Sequence, residues 1–281
     1  MVSCTPAHPG FRIEQFTTVV DGCKVFVQRL HNPRRRSGHP LLVFLHDALG
    51  CVDLWHNFPQ ALCEHAACDG LVFDRPGHGR SDPLPRAGVD PSYLADISWR
   101  QLPKWFALWG VRKPVLVGHS DGGTIALLYA ARYPNAVSGL VCEASHVFVE
   151  EITRRGIRTM VARFRQGGLA RQLRRYHGGK ADRLFDRWKH TWLSPAFASW
   201  DITGLLGRIV CPVLAIQGEK DEYGSMAQLE AITAGVTGPA DALRVPDCGH
   251  FPHRRSRRRV LSETTRFLAQ VGSHHRPLPR P

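Results

Sequence analysis

Ser120 is the side chain of this sequence best placed to act as a nucleophile. It lies in the run Gly118-His119-Ser120-Asp121-Gly122-Gly123, after the apolar stretch 114–117 and before the helix-like stretch 124–131. The pattern G-x-S-x-G between a buried strand and a helix forms a sharp turn that exposes the serine hydroxyl. Small residues around the serine let strand and helix approach closely. The sequence therefore predicts a strained turn with Ser120 at its tip.

A serine hydroxyl is a weak nucleophile at neutral pH, so it needs a base to take its proton and a third group to orient that base. Asp221 is the candidate orienting acid, because it lies in a short turn after the strand-like stretch 211–217. His250 is the candidate base, on a short loop after the strand-like stretch 242–245. All three side chains are thus predicted to follow the ends of strands.

Short apolar stretches separated by helical stretches must position these residues. The predicted strands lie at 41–46, 70–74, 114–119 and 137–143, and the predicted helices at 53–67, 91–109 and 122–133. Ahead of them, residues 16–30 are predicted to form two strands that turn at Asp21-Gly22. The strands are almost continuously apolar, which is typical of a parallel sheet covered on both faces. The prediction is an α/β fold with a mostly parallel, doubly wound sheet.

The chain resembles the α/β-hydrolase superfamily over most of its length. The chain order Ser120, Asp221, His250 is that of the family. The run His46-Asp47-Ala48-Leu49-Gly50 is similar to its oxyanion loop, and Asp74-Arg75-Pro76-Gly77-His78-Gly79-Arg80-Ser81 is similar to its D-x-x-G-x-G-x-S turn. The resemblance implies the α/β-hydrolase fold and a Ser-His-Asp triad, and within the family it points to a capped bacterial serine hydrolase subgroup.

The resemblance also implies an oxyanion hole formed by the backbone N–H groups of Asp121 and Ala48. One departure affects Ala48. Most relatives have glycine directly after the loop histidine, whereas this chain has Asp47, and a side chain there narrows the available backbone conformations. The Asp121 carboxylate has a simple explanation, since an acid in the first turn of a helix is stabilised by the helix dipole.

The alternation of strands and helices stops between residues 146 and 207. This segment is helical in character and rich in aromatic residues. By the resemblance, a helical insertion after the sixth strand is a cap above the catalytic serine. The predicted organisation is a first core part at 1–145, a helical cap at 146–207, a second core part at 208–271 and a disordered tail at 272–281.

Cations are abundant in the predicted cap. Between residues 154 and 189, Lys and Arg far outnumber the acids, which are Asp182 and Asp186. On one interpretation, aromatic and cationic side chains enclose a small-molecule substrate that carries a carboxylate, and the charge steers anions to the site. On the other, the arginines face water while the aromatic residues pack the cap on the core. The arginine-rich run 254–259 has the same two interpretations.

The composition narrows the possible partners and compartment. The formal net charge of +13 comes from 37 Lys and Arg against 24 Asp and Glu, yet no nucleic-acid-binding module is recognised, so nucleic acid is not a predicted partner. The eight cysteines lack paired spacing, which is typical of buried free thiols in a reducing compartment. No signal peptide and no apolar stretch of about 18 residues is present, so we expect a cytoplasmic protein without membrane association.

The sequence predicts neither a metal ion nor another cofactor. His46, His56, Cys63, His65 and Cys68 are ligand types, but their spacing matches no established zinc motif. His119, beside the nucleophile, is predicted to pack rather than to take part in chemistry.

Three functional hypotheses follow. The first is a serine hydrolase that cleaves a carboxylic ester of a small molecule through an acyl-enzyme. The second is a C–C bond hydrolase of the meta-cleavage type that uses the same triad, against which Asp121 argues because those enzymes usually carry other residues beside the serine. The third is a ligand receptor with little turnover. Enzymes with an aspartate nucleophile are disfavoured by Ser120.

Overall fold

The computed structural model describes residues 10–84 and 90–273, and at its centre lies one sheet of eight strands. The strands are β1 (Arg12–Val20), β2 (Cys23–His31), β3 (Leu42–Leu45), β4 (Gly70–Phe73), β5 (Val115–His119), β6 (Gly139–Glu143), β7 (Val213–Gly218) and β8 (Ala240–Val245). Their order across the sheet is β1-β2-β4-β3-β5-β6-β7-β8. The pairs β1–β2 and β2–β4 are antiparallel, and every later pair is parallel. The predicted fold class is confirmed.

β1 and β2 form the predicted hairpin at one edge. Asp21 and Gly22 have φ values of 50° and 75°, and positive φ at both central residues is what a two-residue type I′ turn requires. β1 begins at Arg12, earlier than predicted. Its first four residues are exposed and, apart from Ile13, polar, so they pair through the backbone without showing the apolar pattern from which strands were predicted.

Helices cover both faces of the sheet. They are α1 (Phe58–Ala66), α2 (Tyr93–Asp96), α3 (Leu102–Trp109), α4 (Asp121–Arg132), α5 (Glu151–Arg165), α6 (Gly168–His177), α7 (Ala181–Leu193), α8 (Thr203–Leu206), α9 (Met226–Gly235), α10 (Pro252–Arg255) and α11 (Arg257–Ser273). α1 and α11 pack on one face, and α3, α4 and α9 on the other. The strands β3 to β7 between them are buried along their whole length, which explains their continuous apolar sequence.

The helix predicted at 91–109 is not one regular helix. α2 and α3 are joined by a π-helical turn, Ile97–Gln101. Pro103 has no N–H to donate to the Trp99 carbonyl, and that carbonyl instead accepts a hydrogen bond of 2.7 Å from the Tyr133 hydroxyl. The interruption therefore has a local cause in the sequence.

The segment predicted as a cap contains α5, α6 and α7, and the end of α6 docks on two loops of the core. His177 Nε2 lies 3.0 Å from the Leu49 carbonyl, and His177 Nδ1 accepts a hydrogen bond of 2.9 Å from the Gly79 N–H. Lys180 Nζ donates to the carbonyls of Gly79 and Ser81, at 2.7 Å each. The helices are thus fixed above the loops that follow β3 and β4. The domain limits at 145 and 207 stay predictions.

The predictions about the C-terminal tail and about membrane-spanning segments can be compared with the structure only over the described residues. α11 extends to Ser273, so residues 272 and 273 of the predicted tail are helical and the rest lie outside the described residues. Among the described helices, none is long and apolar enough to cross a membrane.

Candidate active site

Ser120 lies at the turn between β5 and α4 with φ 53° and ψ −121°. This backbone conformation costs a non-glycine residue about 1–3 kcal/mol, so the surroundings must hold it. The Ser120 N–H donates to the Glu143 carbonyl at 2.8 Å, and the Ser120 carbonyl accepts from the Gly123 N–H at 2.9 Å. A Cβ on Gly122 would collide with the carbonyl of Leu45 in β3. The predicted turn is therefore present, and close backbone packing explains its small residues.

The three predicted side chains come together at the carboxyl edge of the sheet. Ser120 Oγ lies 3.0 Å from His250 Nε2, and His250 Nδ1 lies 2.9 Å from each carboxylate oxygen of Asp221. An imidazole nitrogen that faces a carboxylate carries the proton, so Nε2 is left to accept one from the serine. Gln217 Nε2 and the Tyr223 N–H each donate to Asp221 at 2.8 Å. The arrangement can move a proton from serine to imidazole.

Electrostatics set the protonation of this pair. Burial lowers the pKa of His250, but the charge of Asp221 and its hydrogen bond outweigh burial and raise that pKa above its ordinary value. Burial raises the pKa of Asp221, and the His250 charge and hydrogen bonds outweigh it in the other direction, so the net pKa is lowered. Asp221 therefore remains ionised at neutral pH and can stabilise the imidazolium.

Asp47 in the loop after β3 needs no glycine-like backbone. It is absent from the non-glycine residues with left-handed φ in the described chain. Its carboxylate accepts the Leu49 N–H at 2.8 Å, and its carbonyl accepts from an Arg75 guanidinium nitrogen at 2.6 Å and from His46 Nδ1 at 2.8 Å. A side chain at position 47 was expected to restrict the backbone of this loop, but the observed backbone is one that a non-glycine residue adopts, and hydrogen bonds fix the loop.

The two predicted oxyanion donors face the same cavity as Ser120. Asp121 is the first residue of α4, where N–H groups have no acceptor within the helix, and Ala48 lies in the loop after β3; both line the cavity. Over residues 10–84 and 90–273, no group accepts a hydrogen bond from either N–H. Both are therefore available for a negatively charged oxygen, and their role in catalysis stays a prediction.

His119 connects the loop of His250 with the loop of Asp47. Its Nε2 donates to the His250 carbonyl at 2.7 Å, and its Nδ1 lies 3.4 Å from an Asp47 carboxylate oxygen. Burial raises the pKa of Asp47, but the hydrogen bond with His119 and the charges of His119, His46 and Arg254 together outweigh burial and lower that pKa. The predicted packing role is thus incomplete. The available sequence signal was the position of His119 directly before Ser120.

The side chains considered as metal ligands do not form a cluster. Within the part of the chain that the structure describes, the group of three ligand types within 4.8 Å of one another is His119, Glu143 and His253. Glu143 already accepts hydrogen bonds from His253 Nδ1 at 2.7 Å and from the His253 N–H at 3.0 Å. This group is a buried hydrogen-bonded network behind the loop of His250.

The Asp121 carboxylate is buried, not at a solvated helix start. Tyr93 Oη donates to it at 2.5 Å, and Trp192 Nε1 in α7 donates to Tyr93 Oη at 2.9 Å. Burial raises the pKa of Asp121, while the charge of Arg75 and the Tyr93 hydrogen bond oppose that rise. Tyr93 and Trp192 were not predicted as partners of Asp121, because no local sequence pattern indicates contacts between segments so far apart. Together they connect the cap to the turn of Ser120.

A cavity of about 630 Å³ lies above Ser120. Its floor includes Ala48 and His250, and α5, α6 and α7 supply its roof, which includes Met160 and Trp188. Its lining combines apolar side chains with converging polar and charged ones, and a cavity of this size with converging polar groups is typical of a small-molecule site. A strained serine turn after a central parallel strand, under a helical cap, is the architecture of the α/β hydrolases.

Similarity to known proteins leads to the same family. A sequence model described as alpha/beta hydrolase fold matches residues 40–167, which include the loop of Ala48 and the turn of Ser120. The chain is 32% identical over 158 residues to a 2-succinyl-6-hydroxy-2,4-cyclohexadiene-1-carboxylate synthase of Yersinia pestis. This match covers 54% of the chain and 54% of the relative, so it spans about half the length of that curated protein.

Solved structures share the fold over almost the whole chain. Proline iminopeptidase of Mycobacterium smegmatis superposes with a TM-score of 0.71 at 18% identity, covering 94% of this chain and 100% of that chain. The enol-lactonase of Burkholderia xenovorans gives 0.66 at 17% identity, covering 90% and 99%. At these identities the likeness shows the fold alone. The chain therefore has the α/β-hydrolase fold, and its residues 40–167 match the sequence model of that family.

Proposed function

We propose that the protein is a serine hydrolase that cleaves a carboxylic ester of a small molecule through an acyl-enzyme. One observation carries the proposal: Asp221 lies 2.9 Å from His250 Nδ1, and His250 Nε2 lies 3.0 Å from Ser120 Oγ, with Ser120 and His250 lining the cavity. A nucleophile, a base and an orienting acid within hydrogen-bond reach are the requirement for acyl transfer by serine.

The reaction follows from these positions. Ser120 Oγ attacks the ester carbonyl while its proton passes to His250 Nε2, and the N–H groups of Asp121 and Ala48 stabilise the resulting oxyanion. The imidazolium then gives its proton to the departing alcohol, and the acyl group stays on Ser120. A water molecule repeats the sequence: its proton goes to His250, its oxygen attacks the acyl carbon, and the acid leaves as the serine recovers its proton.

A second candidate rests on the similarity to the Yersinia protein. That protein is a synthase of a cyclohexadiene carboxylate, so in this second candidate the same side chains form such a compound instead of cleaving an ester. Two earlier hypotheses share the triad as well, namely C–C bond hydrolysis of the meta-cleavage type and a receptor with little turnover. The geometry of Ser120 and His250 is compatible with each of them, so products must separate them.

Labelling and turnover together test the proposal. A fluorophosphonate should label Ser120 and no other residue, and a panel of p-nitrophenyl esters of increasing acyl length should be hydrolysed with many turnovers. Release of one equivalent of nitrophenol and no more would favour a receptor. Turnover of a ring-fission dienone, or formation of the cyclohexadiene carboxylate, without turnover of any ester would overturn the ester proposal in favour of the alternatives.

A further inference from the structure

We propose that three arginines at the mouth of the cavity, Arg163, Arg171 and Arg254, form a subsite for an anionic group of the substrate, a carboxylate or a phosphate, at the end remote from the scissile ester. All three line the cavity that contains Ser120. They come from different elements, α5, α6 and α10. This inference names the substrate class of the proposed hydrolase and rests on that function.

The three arginines lack the acidic partners that several cap cations have. Arg158 pairs with Glu151 at 2.7 Å, and Arg174 pairs with Asp182 at 2.9 Å. Three more cap cations also form ion pairs: Arg154 with Glu151, Arg187 with Asp90 and Lys189 with Asp186. Over the described ranges, no acid lies within ion-pair distance of Arg163, Arg171 or Arg254. Only half of the ten other cap cations between residues 154 and 189 form such pairs, so it is the combination of lining the cavity and lacking an acid that distinguishes these three arginines.

The acids that line the cavity are already engaged. Asp47 accepts the Leu49 N–H, Asp121 accepts the Tyr93 hydroxyl, and Glu222 accepts the His250 N–H at 3.1 Å. None of these three acids lies within ion-pair distance of Arg163, Arg171 or Arg254. The guanidinium groups are thus left to recognise an oxyanion from outside the protein.

Arg254 is held in place before any ligand arrives. One of its terminal nitrogens donates to the Leu54 carbonyl at 2.6 Å, and its guanidinium lies 4.5 Å from the centroid of the Phe251 ring. Its charge is among those that lower the pKa of Asp47, on the cavity wall. A positioned guanidinium loses less conformational freedom on binding an anion than a free one.

Arg163 stands at a branch of the cavity. It also lines a neighbouring groove of about 190 Å³, together with Arg155, Met160 and Tyr223. Met160, Tyr223 and the acid Glu222 also line both spaces. A substrate with its ester at the nucleophile and an apolar body along the cap can therefore reach Arg163 from within the main cavity.

Matched esters test the subsite. Mono-p-nitrophenyl adipate and p-nitrophenyl hexanoate have acyl chains of equal length, and only the first carries a distal carboxylate. We expect kcat/KM for the adipate to exceed that for the hexanoate about tenfold at 0.05 M salt, because opposite charges steer and bind the substrate. The ratio should fall toward one at 0.5 M salt, where the Debye length is only a few ångströms.

Variants assign the effect to particular side chains. Arg163→Gln, Arg171→Gln and Arg254→Gln should each lower the ratio, and the triple variant should bring it to about one. Arg165→Gln and Arg175→Gln are the matched controls, since these exposed cap arginines do not line the cavity. The subsite is wrong if the parent protein shows equal rates for both esters, if the controls lower the ratio as much, or if the triple variant keeps it.

Binding separates this inference from the hydrolase proposal. Isothermal calorimetry with monomethyl adipate, butyl phosphate and methyl hexanoate on the Ser120→Ala variant needs no turnover. Preferential binding of the adipate supports a carboxylate subsite, and preferential binding of butyl phosphate supports a phosphate subsite. Loss of that binding when the three arginines are also replaced supports their assignment to the subsite. Equal affinity for the neutral ester would overturn the inference even if esters are hydrolysed. Anion binding without any ester turnover would overturn only the proposed hydrolase.

Discussion

Charged side chains have hydrogen-bonded partners within the protein at the carboxyl edge of the sheet, whereas the arginines at the mouth of the cavity have no acidic partner in the described part of the chain. Near Ser120, Asp221 accepts hydrogen bonds from Gln217 and the Tyr223 N–H as well as from His250. At the mouth, Arg163 has no acidic partner among the described residues. Groups that must hold one geometry through a reaction are fixed by neighbours, because a displacement of about 1 Å can cost 100-fold in rate. Groups that recognise a ligand are left for the ligand to pair.

The two regions also differ in what forms them: closely packed backbone at the carboxyl edge, and helix side chains in the roof of the cavity. The carboxyl edge is built on strands whose close packing excludes even a Cβ at Gly122. The roof is built on helices whose side chains, such as Met160 and Trp188, contact the cavity from a separate layer. Chemistry should therefore be sensitive to single changes at the edge, and substrate preference to changes in the roof.

The largest effect should come from the nucleophile. Ser120→Ala should lower kcat for any ester by roughly 10⁴–10⁶, since the triad works as a unit. Ser145→Ala is the control: Ser145 is also buried near this edge, and its hydroxyl has no partner among the described residues. The control should keep the parent rate. Residual activity of Ser120→Ala within tenfold of the parent would remove Ser120 from the mechanism.

The second-largest effect on kcat should come from replacing the orienting acid, Asp221. Asp221→Asn should lower kcat by roughly 10⁴, because the amide cannot hold His250 in the required tautomer or stabilise its charge. A circular dichroism spectrum equal to that of the parent would show that the fold survives. A loss of less than tenfold would mean that another group orients His250.

The pH profile tests the same pair. Only neutral His250 can accept the serine proton, so activity should rise with pH and be lost as pH falls through the pKa of His250. Since Asp221 raises that pKa, the midpoint of kcat/KM should lie above the roughly 6.5 of an unperturbed histidine. In Asp221→Asn the midpoint should move down. Rates independent of pH between about 5 and 8, with chemistry limiting, would argue against a histidine base.

A smaller effect on kcat should follow from changing His119, which links the loop of His250 to the loop of Asp47. His119→Leu removes the donor to the His250 carbonyl and the contact with Asp47, so kcat should fall by about tenfold to 100-fold through misplacement of His250. His119→Gln can still donate to the same carbonyl and should recover part of the loss. Equal rates for the two variants would mean that shape, and not the hydrogen bond, is what His119 contributes.

The sequence predicted the candidate triad at the carboxyl edge better than it predicted the side chains that support it. Ser120, Asp221 and His250 each follow a strand, and the carboxyl ends of parallel strands meet at one edge, so local pattern and topology together place them. The contact of His119 with Asp47 and that of Tyr93 with Asp121 join separate segments whose facing side chains no periodicity encodes. For the cap arginines, composition shows only that cations are present. Which of them face the cavity depends on how α5 and α6 dock.

The smallest effect should come from the connection between the two regions, the hydrogen bonds from Trp192 through Tyr93 to Asp121. Tyr93→Phe keeps the ring but removes the hydroxyl, so a buried carboxylate loses a donor and the indole N–H loses its acceptor. We expect the free energy of unfolding to fall by about 1–3 kcal/mol, measured by urea denaturation. We expect kcat to fall by less than about tenfold, because Ser120 and His250 keep their own contacts. If the cap is held over the turn by this link, KM should rise more than kcat falls. A drop in kcat as large as that of Asp221→Asn would instead mean that Tyr93 acts with the residues of the carboxyl edge, and the proposed division of roles between the carboxyl edge and the cap would be wrong.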